Sequence, residues 1–263
     1  MRWVRYRHGE AVGFGVLEDD TITPVEGSPF GEHRPLSRRI ARSDVRLLPP
    51  VIPPTFYAAG LNYLGHTKEM VDALGASARR PAKPDIGYRA INALIGDGDS
   101  IVVPSDSSGR VQYEPELVVV IGRQAKHLSE EDALSCIFGY TIGNDVSERS
   151  WQAADKTLWR AKNTDTFKPM GPWIETDVDL ESLTTRVRLN STVVAEFRTN
   201  DMVFGVARYI SAMTRYLTLY PGDVIWMGAD SPTRDMVPGD EIEVEIDGIG
   251  VLRNRVIAEP VRG

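Results

Sequence analysis

The sequence predicts a β-rich α+β chain with few helices, preceded by a small N-terminal β module. Three observations predict it. Extended runs broken by turn residues fill residues 2–25 and dominate again from Ser100 onward. Only a few stretches carry a helical pattern, and strand–helix alternation of the doubly wound kind is absent. A four-proline segment, Pro49-Pro50-Val51-Ile52-Pro53-Pro54, separates the first part from the rest.

Residues 2–25 read as a β-meander turning at Glu18-Asp19-Asp20, with Gly13 and Gly15 punctuating its second run. The prolines then forbid a helix and stiffen the chain. This places a module over residues 1–50 and a main domain over 54–263. Phe56 to Gly60 reads as a short buried strand. Asn62 can cap a helix over Leu64–Leu74 that Gly75 ends. Ala76 to Gly87 lacks periodicity and reads as a surface loop of the length that lids use.

Leu117 to Ile121 is a continuous apolar run, as in a strand covered on both faces. Ser129-Glu130-Glu131-Asp132 resembles a helix start, with the helix stopping near Gly139. Tyr140 to Gly143 is a further strand. Met202 to Leu217 is a helix, because Val203, Ala207, Ile210, Thr214 and Leu217 share one face. Pro221-Gly222-Asp223 and Pro238-Gly239-Asp240 each launch a strand. Asp247-Gly248 turns a hairpin between Glu241–Ile246 and Gly250–Ala258.

The charge excludes some functions. There are 37 acidic against 30 basic residues, a formal net charge of -7, and no dense Lys/Arg run. Nucleic acid is therefore not an expected partner. Cys136 is the single cysteine, which rules out an intrachain disulfide and a Cys-based zinc site; its apolar surroundings suit a buried core thiol. No apolar stretch reaches about 18 residues, so no membrane span is expected. The charged start lacks a signal peptide's apolar core, and a cytoplasmic protein is the expectation. There is no G-x-S-x-G elbow, P-loop, G-x-G-x-x-G loop or H-E-x-x-H motif.

Four pieces carry chemistry. In Tyr113-Glu114-Pro115-Glu116-Leu117, a strand would point Glu114 and Glu116 to one face, beside a buried run. Two like charges there need neutralising, which a divalent cation does well; taken alone, the pair also fits an exposed strand edge. Asp145 ends the apolar run Gly139–Asn144 and could join them, or could merely cap a turn. Three carboxylates suit Mg²⁺ or Mn²⁺, with Ca²⁺ as an alternative. His66 and Glu69 stand three residues apart on the expected helix, where the carboxylate would make the imidazole a better base; they also fit a plain surface contact. Lys162, in Arg160-Ala161-Lys162, becomes a candidate for charge stabilisation only if the carboxylates lie near it.

Together these pieces resemble the fumarylacetoacetate hydrolase family. The shared strings run in order from about Tyr57 to Val256: Gly60 to Glu69, Tyr113 to Leu117, Val120 to Gly122, Gly139 to Arg149, Gln152, Lys162, Gly171 to Trp173, Pro221 to Ile225, and Gly248 to Asn254. The resemblance implies a mixed β-sandwich roll, a homodimer, and Mg²⁺ or Mn²⁺ held by Glu114, Glu116 and Asp145. It implies small 2-keto acids as substrates, often 2,4-diketo acids, that are hydrolysed at a carbon–carbon bond, decarboxylated or isomerised. It assigns His66 and Glu69 to water activation, and Lys162 and Gln152 to substrate contact. Two departures bear on the substrate. Gly228-Ala229-Asp230 stands where many members have Gly-Thr-Pro, so Ala229 offers no hydroxyl. Gly87-Tyr88-Arg89 stands where many have Phe-x-Lys, so Arg89 keeps the charge with another geometry. The leading expectation is a metal-dependent hydrolase of an acylpyruvate-like acid. A decarboxylase or tautomerase of oxaloacetate-like acids is the enzymatic alternative, and a non-catalytic ligand binder the third.

Overall fold

The computed structural model describes residues 1–65, 82–230 and 232–260. The expected helix over Leu64–Leu74 lies almost wholly outside the described residues, as does most of the loop after it. Among the described residues, two mixed sheets carry the fold. The larger runs, edge to edge, from the N-terminal strands His33–Pro35, Thr21–Gly27, Ala11–Glu18 and Arg2–His8 into Lys168–Glu175, Ile137–Asn144, Pro115–Ile121, Val224–Trp226, Phe56–Ala59 and Ile86–Tyr88. The smaller orders Ser100–Val103, Gly250–Ala258, Glu241–Ile246, Thr184–Leu189 and Thr192–Arg198. This is the β-rich α+β architecture expected, with the meander joined to the main sheet through Arg2↔Glu175 and Trp3↔Ile174.

The central strand Pro115–Ile121 is buried throughout. Its odd-numbered residues Leu117, Val119 and Ile121 meet Val244, Ile246 and Leu252 of the second sheet in one core. Its even-numbered Val118 and Val120 meet Trp226, Phe56 and Trp3 in another. A strand sandwiched this way has no polar face to present, which is why its sequence is an unbroken apolar run. Cys136 is buried, as expected.

Three local expectations need correction. The segment after Ser129 forms only a 3₁₀ turn, Ala133–Cys136. The Ser129 hydroxyl and the Asp132 backbone N–H and carboxylate close on each other instead of capping a long helix, and Ile137 is already drawn into a strand opposite Ile121. The helix expected over Met202–Leu217 is confined to Val206–Thr214, because Met202 bridges to Tyr63 and the Val203 N–H donates to the Asn62 carbonyl. Asn62 is no simple cap: its amide group donates to the Phe204 and Met227 carbonyls and its oxygen accepts the Phe204 N–H. The helix Arg149–Ala154 was not expected; Glu148 starts it by accepting the Trp151 N–H at 2.6 Å. Among the described residues, no helix is long and apolar enough to cross a membrane.

One glycine governs the end of the sheet that matters most. Gly143 pairs with Glu116, and a Cβ there would lie 2.6–2.8 Å from ring carbons of the fully buried Trp226. Neither the indole nor the strand can yield cheaply. Gly143→Ala is expected to destabilise the fold by about 2 kcal/mol or more, read as a lower urea midpoint at unchanged slope.

Candidate active site

Register brings the acids together. Pro115 pairs with Asn144 and Glu116 with Gly143, so Glu114, Glu116 and Asp145 leave two adjacent antiparallel strands at one end. The Asp145 N–H donates to the Glu114 carbonyl at 2.8 Å, and the Asn144 side chain accepts the Glu114 N–H at 2.9 Å. Pro115 stands as the first residue of its strand, a position where a missing N–H is tolerated. All three carboxylates are buried, and one oxygen from each lies within 4.8 Å of the others.

They open onto a cavity of about 240 Å³ whose lining includes Arg89, Gln152, Lys162 and Ala229. The described site residues named from the sequence are thus assembled in one place. His66 and Glu69 lie outside the described residues. Ala229 is buried and lines the cavity, whereas Asp230 does not line it.

The charges interlock. Arg89 grips Asp145 with two parallel bonds of 3.0 and 2.8 Å, the fork geometry a guanidinium favours. Lys162 bridges Glu114 at 2.5 Å and Asp145 at 2.7 Å. It is buried, not solvent-facing as a lysine in such a segment ordinarily is. Arg149 reaches Glu114 at 2.5 Å and Gln152 at 2.8 Å. Lys168 meets Asp145 at 2.8 Å from a fully buried position.

Sequence reasoning passed over Lys168 and Arg149 as functional residues. The visible signal for Lys168 was a charge inside the apolar run Phe167–Trp173. The Gly228 N–H, which donates to Glu116 at 2.7 Å, had no signal beyond the glycine itself. Gly228 adopts φ +85°, and a Cβ would lie 3.1 Å from that of Asn62, so this close approach of backbone to carboxylate requires glycine.

Electrostatics separates the three acids. Burial, aided by repulsion from Asp145 and Glu114, pushes Glu116 well above the usual carboxylate range. Burial pushes Asp145 the same way, but Arg89, Lys162 and Lys168 together overcome it and hold Asp145 well below that range. Burial chiefly, with Lys162 and Arg89 adding, pulls Lys168 down to about 7 against the attraction of Asp145. Glu116 is the member with no basic side chain in ion-pair contact among the described residues. A buried carboxylate without a counter-charge is what a divalent cation satisfies, and all-oxygen donors suit a hard ion. The residues present therefore fit a divalent cation.

Comparison with known proteins agrees with this geometry. Residues 55–257 match the family described as fumarylacetoacetate (FAA) hydrolase C-terminal, and residues 1–50 match Rv2993c-like, N-terminal. Protein Rv2993c of Mycobacterium tuberculosis is 35% identical over 98% of this chain and 98% of its own length. The mitochondrial oxaloacetate tautomerase Fahd2a of Rattus norvegicus is 34% identical over 83% of this chain and 71% of its own. The crystal structure of 5-carboxymethyl-2-hydroxymuconate delta-isomerase from Mycobacterium smegmatis superposes with a TM-score of 0.89 at 34% identity, covering 98% of this chain and 100% of that one. With its buried acid triad at the end of two central strands, the chain belongs to the fumarylacetoacetate hydrolase C-terminal family.

Proposed function

We propose that the chain is a divalent-cation-dependent enzyme that hydrolyses a carbon–carbon bond in a small 2,4-diketo acid, through an enolate. The observation that carries this reading is the cavity itself: three buried carboxylates facing the cationic side chains of Lys162 and Arg89 in about 240 Å³. That space suits a short acid, and the paired cations suit its negative charge.

When bound, a divalent cation would supply Lewis-acid polarisation of the keto acid. The chain's own residues do the rest. Glu114, Glu116 and Asp145 hold that charge in place. Arg89 favours the substrate carboxylate and Lys162 the enolate that develops when the bond breaks, in a site whose burial strengthens both attractions. Gln152 offers an amide for orientation. His66, supported by Glu69, takes a proton from water for attack on the distal carbonyl.

The tautomerase or isomerase reading has its own support, in the 34% identical relatives named for those reactions. It shares the enolate and omits the attacking water. Turnover of acetylpyruvate, fumarylpyruvate and oxaloacetate with Mg²⁺, Mn²⁺ or EDTA separates the two. Hydrolysis of a diketo acid that stops in EDTA is expected, and His66→Ala should abolish it. Turnover confined to oxaloacetate would discard the hydrolase, and hydrolysis that survives EDTA would discard the cation dependence.

Cation binding should also depend on pH. Glu116 binds a proton too readily for an ordinary carboxylate, and a cation must displace that proton. Affinity is expected to rise as pH rises toward and through the elevated Glu116 pKa, with proton release. Calorimetry in two buffers of different ionisation enthalpy reads the released proton directly; identical heats in both would contradict it.

A further inference from the structure

Gln112, shortly before the first acid of the triad, joins two distant parts of the chain. Its Nε2 donates to Asp235 Oδ1 at 2.7 Å, and its Oε1 accepts the Thr233 hydroxyl at 2.8 Å and Arg149 Nε at 2.7 Å. The backbone repeats the link: Gln112 bridges to Asp235, and the Met236 N–H donates to the Val111 carbonyl at 2.7 Å. On its other side Gln112 pairs with Ser147, just ahead of the helix Arg149–Ala154. Donors and acceptors fix which way each amide points. A carboxylate only accepts and a guanidinium only donates. Gln112 therefore turns its NH₂ to Asp235 and its oxygen to Arg149. Arg149 hands the same polarity on, because Nη1 donates to Glu114 Oε1 at 2.5 Å and to Gln152 Oε1 at 2.8 Å. With its oxygen taken by Arg149, Gln152 has its Nε2 left for a ligand in the cavity that it lines.

Arg149 is held by few bonds for a buried guanidinium. Among the described residues, its Nη2 is buried with no hydrogen-bond partner. Without the Gln112 oxygen, the Nε hydrogen and both Nη2 hydrogens would all lack acceptors. A guanidinium in that state gains by swinging to meet Glu114 with two parallel bonds, its preferred geometry on a carboxylate. That swing would take the donor away from Gln152 and free its amide to turn over. The Gln112 oxygen holds Arg149 against it.

We propose that Gln112 is a positioning residue: by holding Arg149 between Glu114 and Gln152, it keeps the NH₂ of Gln152, and not its oxygen, turned to the cavity. This rests on the reading above that the cavity takes a small keto acid. A donor at that point favours a carboxylate or keto oxygen and opposes a ligand that could only donate there, because a buried amide facing another donor is left unpaired. Gln112 does not line the cavity, so it acts through Arg149 and Gln152. Its anchors, Thr233 and Asp235, lie just beyond Ala229 in the chain. The segment that brings no hydroxyl at position 229 thus reaches the site by another route, through Gln112.

The test is a double-mutant cycle on the full chain with Mg²⁺ present, read by calorimetry with oxalate, a small diacid that has no bond to hydrolyse. Gln152→Met is expected to weaken oxalate binding at least about fivefold, the loss of one hydrogen bond to a charged group. Gln112→Met, which offers Arg149 no oxygen, should weaken it at least about threefold. In the Gln152→Met background the same change should cost less than about twofold, because the amide it positions is gone. A residue that merely supported the fold would cost as much in either background. Asp235→Ala, at an exposed position on the far side of Gln112, enters the same cycle if Gln112→Met does not fold. Additive losses overturn the proposal. So does unchanged oxalate binding in Gln112→Met or in Gln152→Met. No oxalate binding by the unaltered chain removes the keto-acid reading and the proposal with it, a result distinct from the others.

Discussion

Glu116→Gln is expected to abolish cation binding and to lower turnover at least about 1,000-fold, while raising the melting temperature measured in EDTA. The two effects share a cause. Glu116 is buried beside two other acids; Lys162 and Arg89 attract it without ion-pair contact, and its hydrogen bond comes from the neutral Gly228 N–H. An unpaired buried carboxylate opposes folding. Its folded pKa is raised, so whatever it contributes to stability is present at low pH and is lost as pH rises through that pKa. Glutamine keeps the shape and can still accept the Gly228 N–H, so the fold loses nothing and is relieved of the charge. The ligand is lost in the same step. Added Mg²⁺ should therefore stabilise the unaltered chain and leave the variant's melting temperature unchanged. A variant that is less stable in EDTA, or that still gains from Mg²⁺, would show that Glu116 is not a ligand.

Lys162→Met is the second large effect. Lys162 is the sole side chain among the described residues that contacts both Glu114 and Asp145. Removing it leaves two buried carboxylates facing each other with one cation fewer, a loss of about 3 kcal/mol in stability. Asp145 retains Arg89 and Lys168, and Glu114 retains Arg149, which limits the damage. Turnover should fall further than stability does. Lys162 lines the cavity and is placed to favour an enolate, a contribution of about 100-fold or more in kcat. Removal of a group that acts only on the developing charge lowers kcat and leaves KM nearly unchanged. A pure KM effect would reassign Lys162 to substrate binding.

The site was legible to the extent that its residues are local in sequence. Glu114 and Glu116 sit two apart on a strand, so alternation alone puts them on one side. Asp145 was legible as the polar end of an apolar strand, although nothing local says that its strand lies beside the other. The ordered family strings carried that information. What stayed hidden was long-range neutralisation. Lys168 and Arg149 matter because of the acids they meet, and those contacts depend on strand order. The expected helix after Ser129 failed for a related reason. A helix start was present, but the apolar residues behind it had a stronger claim as a strand opposite Ile121. Tertiary pairing outweighed a local preference worth only a fraction of a kcal/mol per residue.

The seam between the N-terminal strands and the main sheet has a practical consequence. The outer edge of Lys168–Glu175 is covered twice: by Leu94–Ile95 at the end that carries Lys168, and by Arg2–Trp3 at the other. The proline segment near residue 50 looks like an obvious place to cut. A shortened chain starting there would bare the far end of that strand and uncover Val118, Val120 and Trp226, which pack with Trp3 and Val25. Unpaired edges above exposed apolar surface invite self-association. Anyone trimming or exchanging the first fifty residues should therefore supply a replacement strand, because the meander works as a hem on the sheet and not as a detachable label.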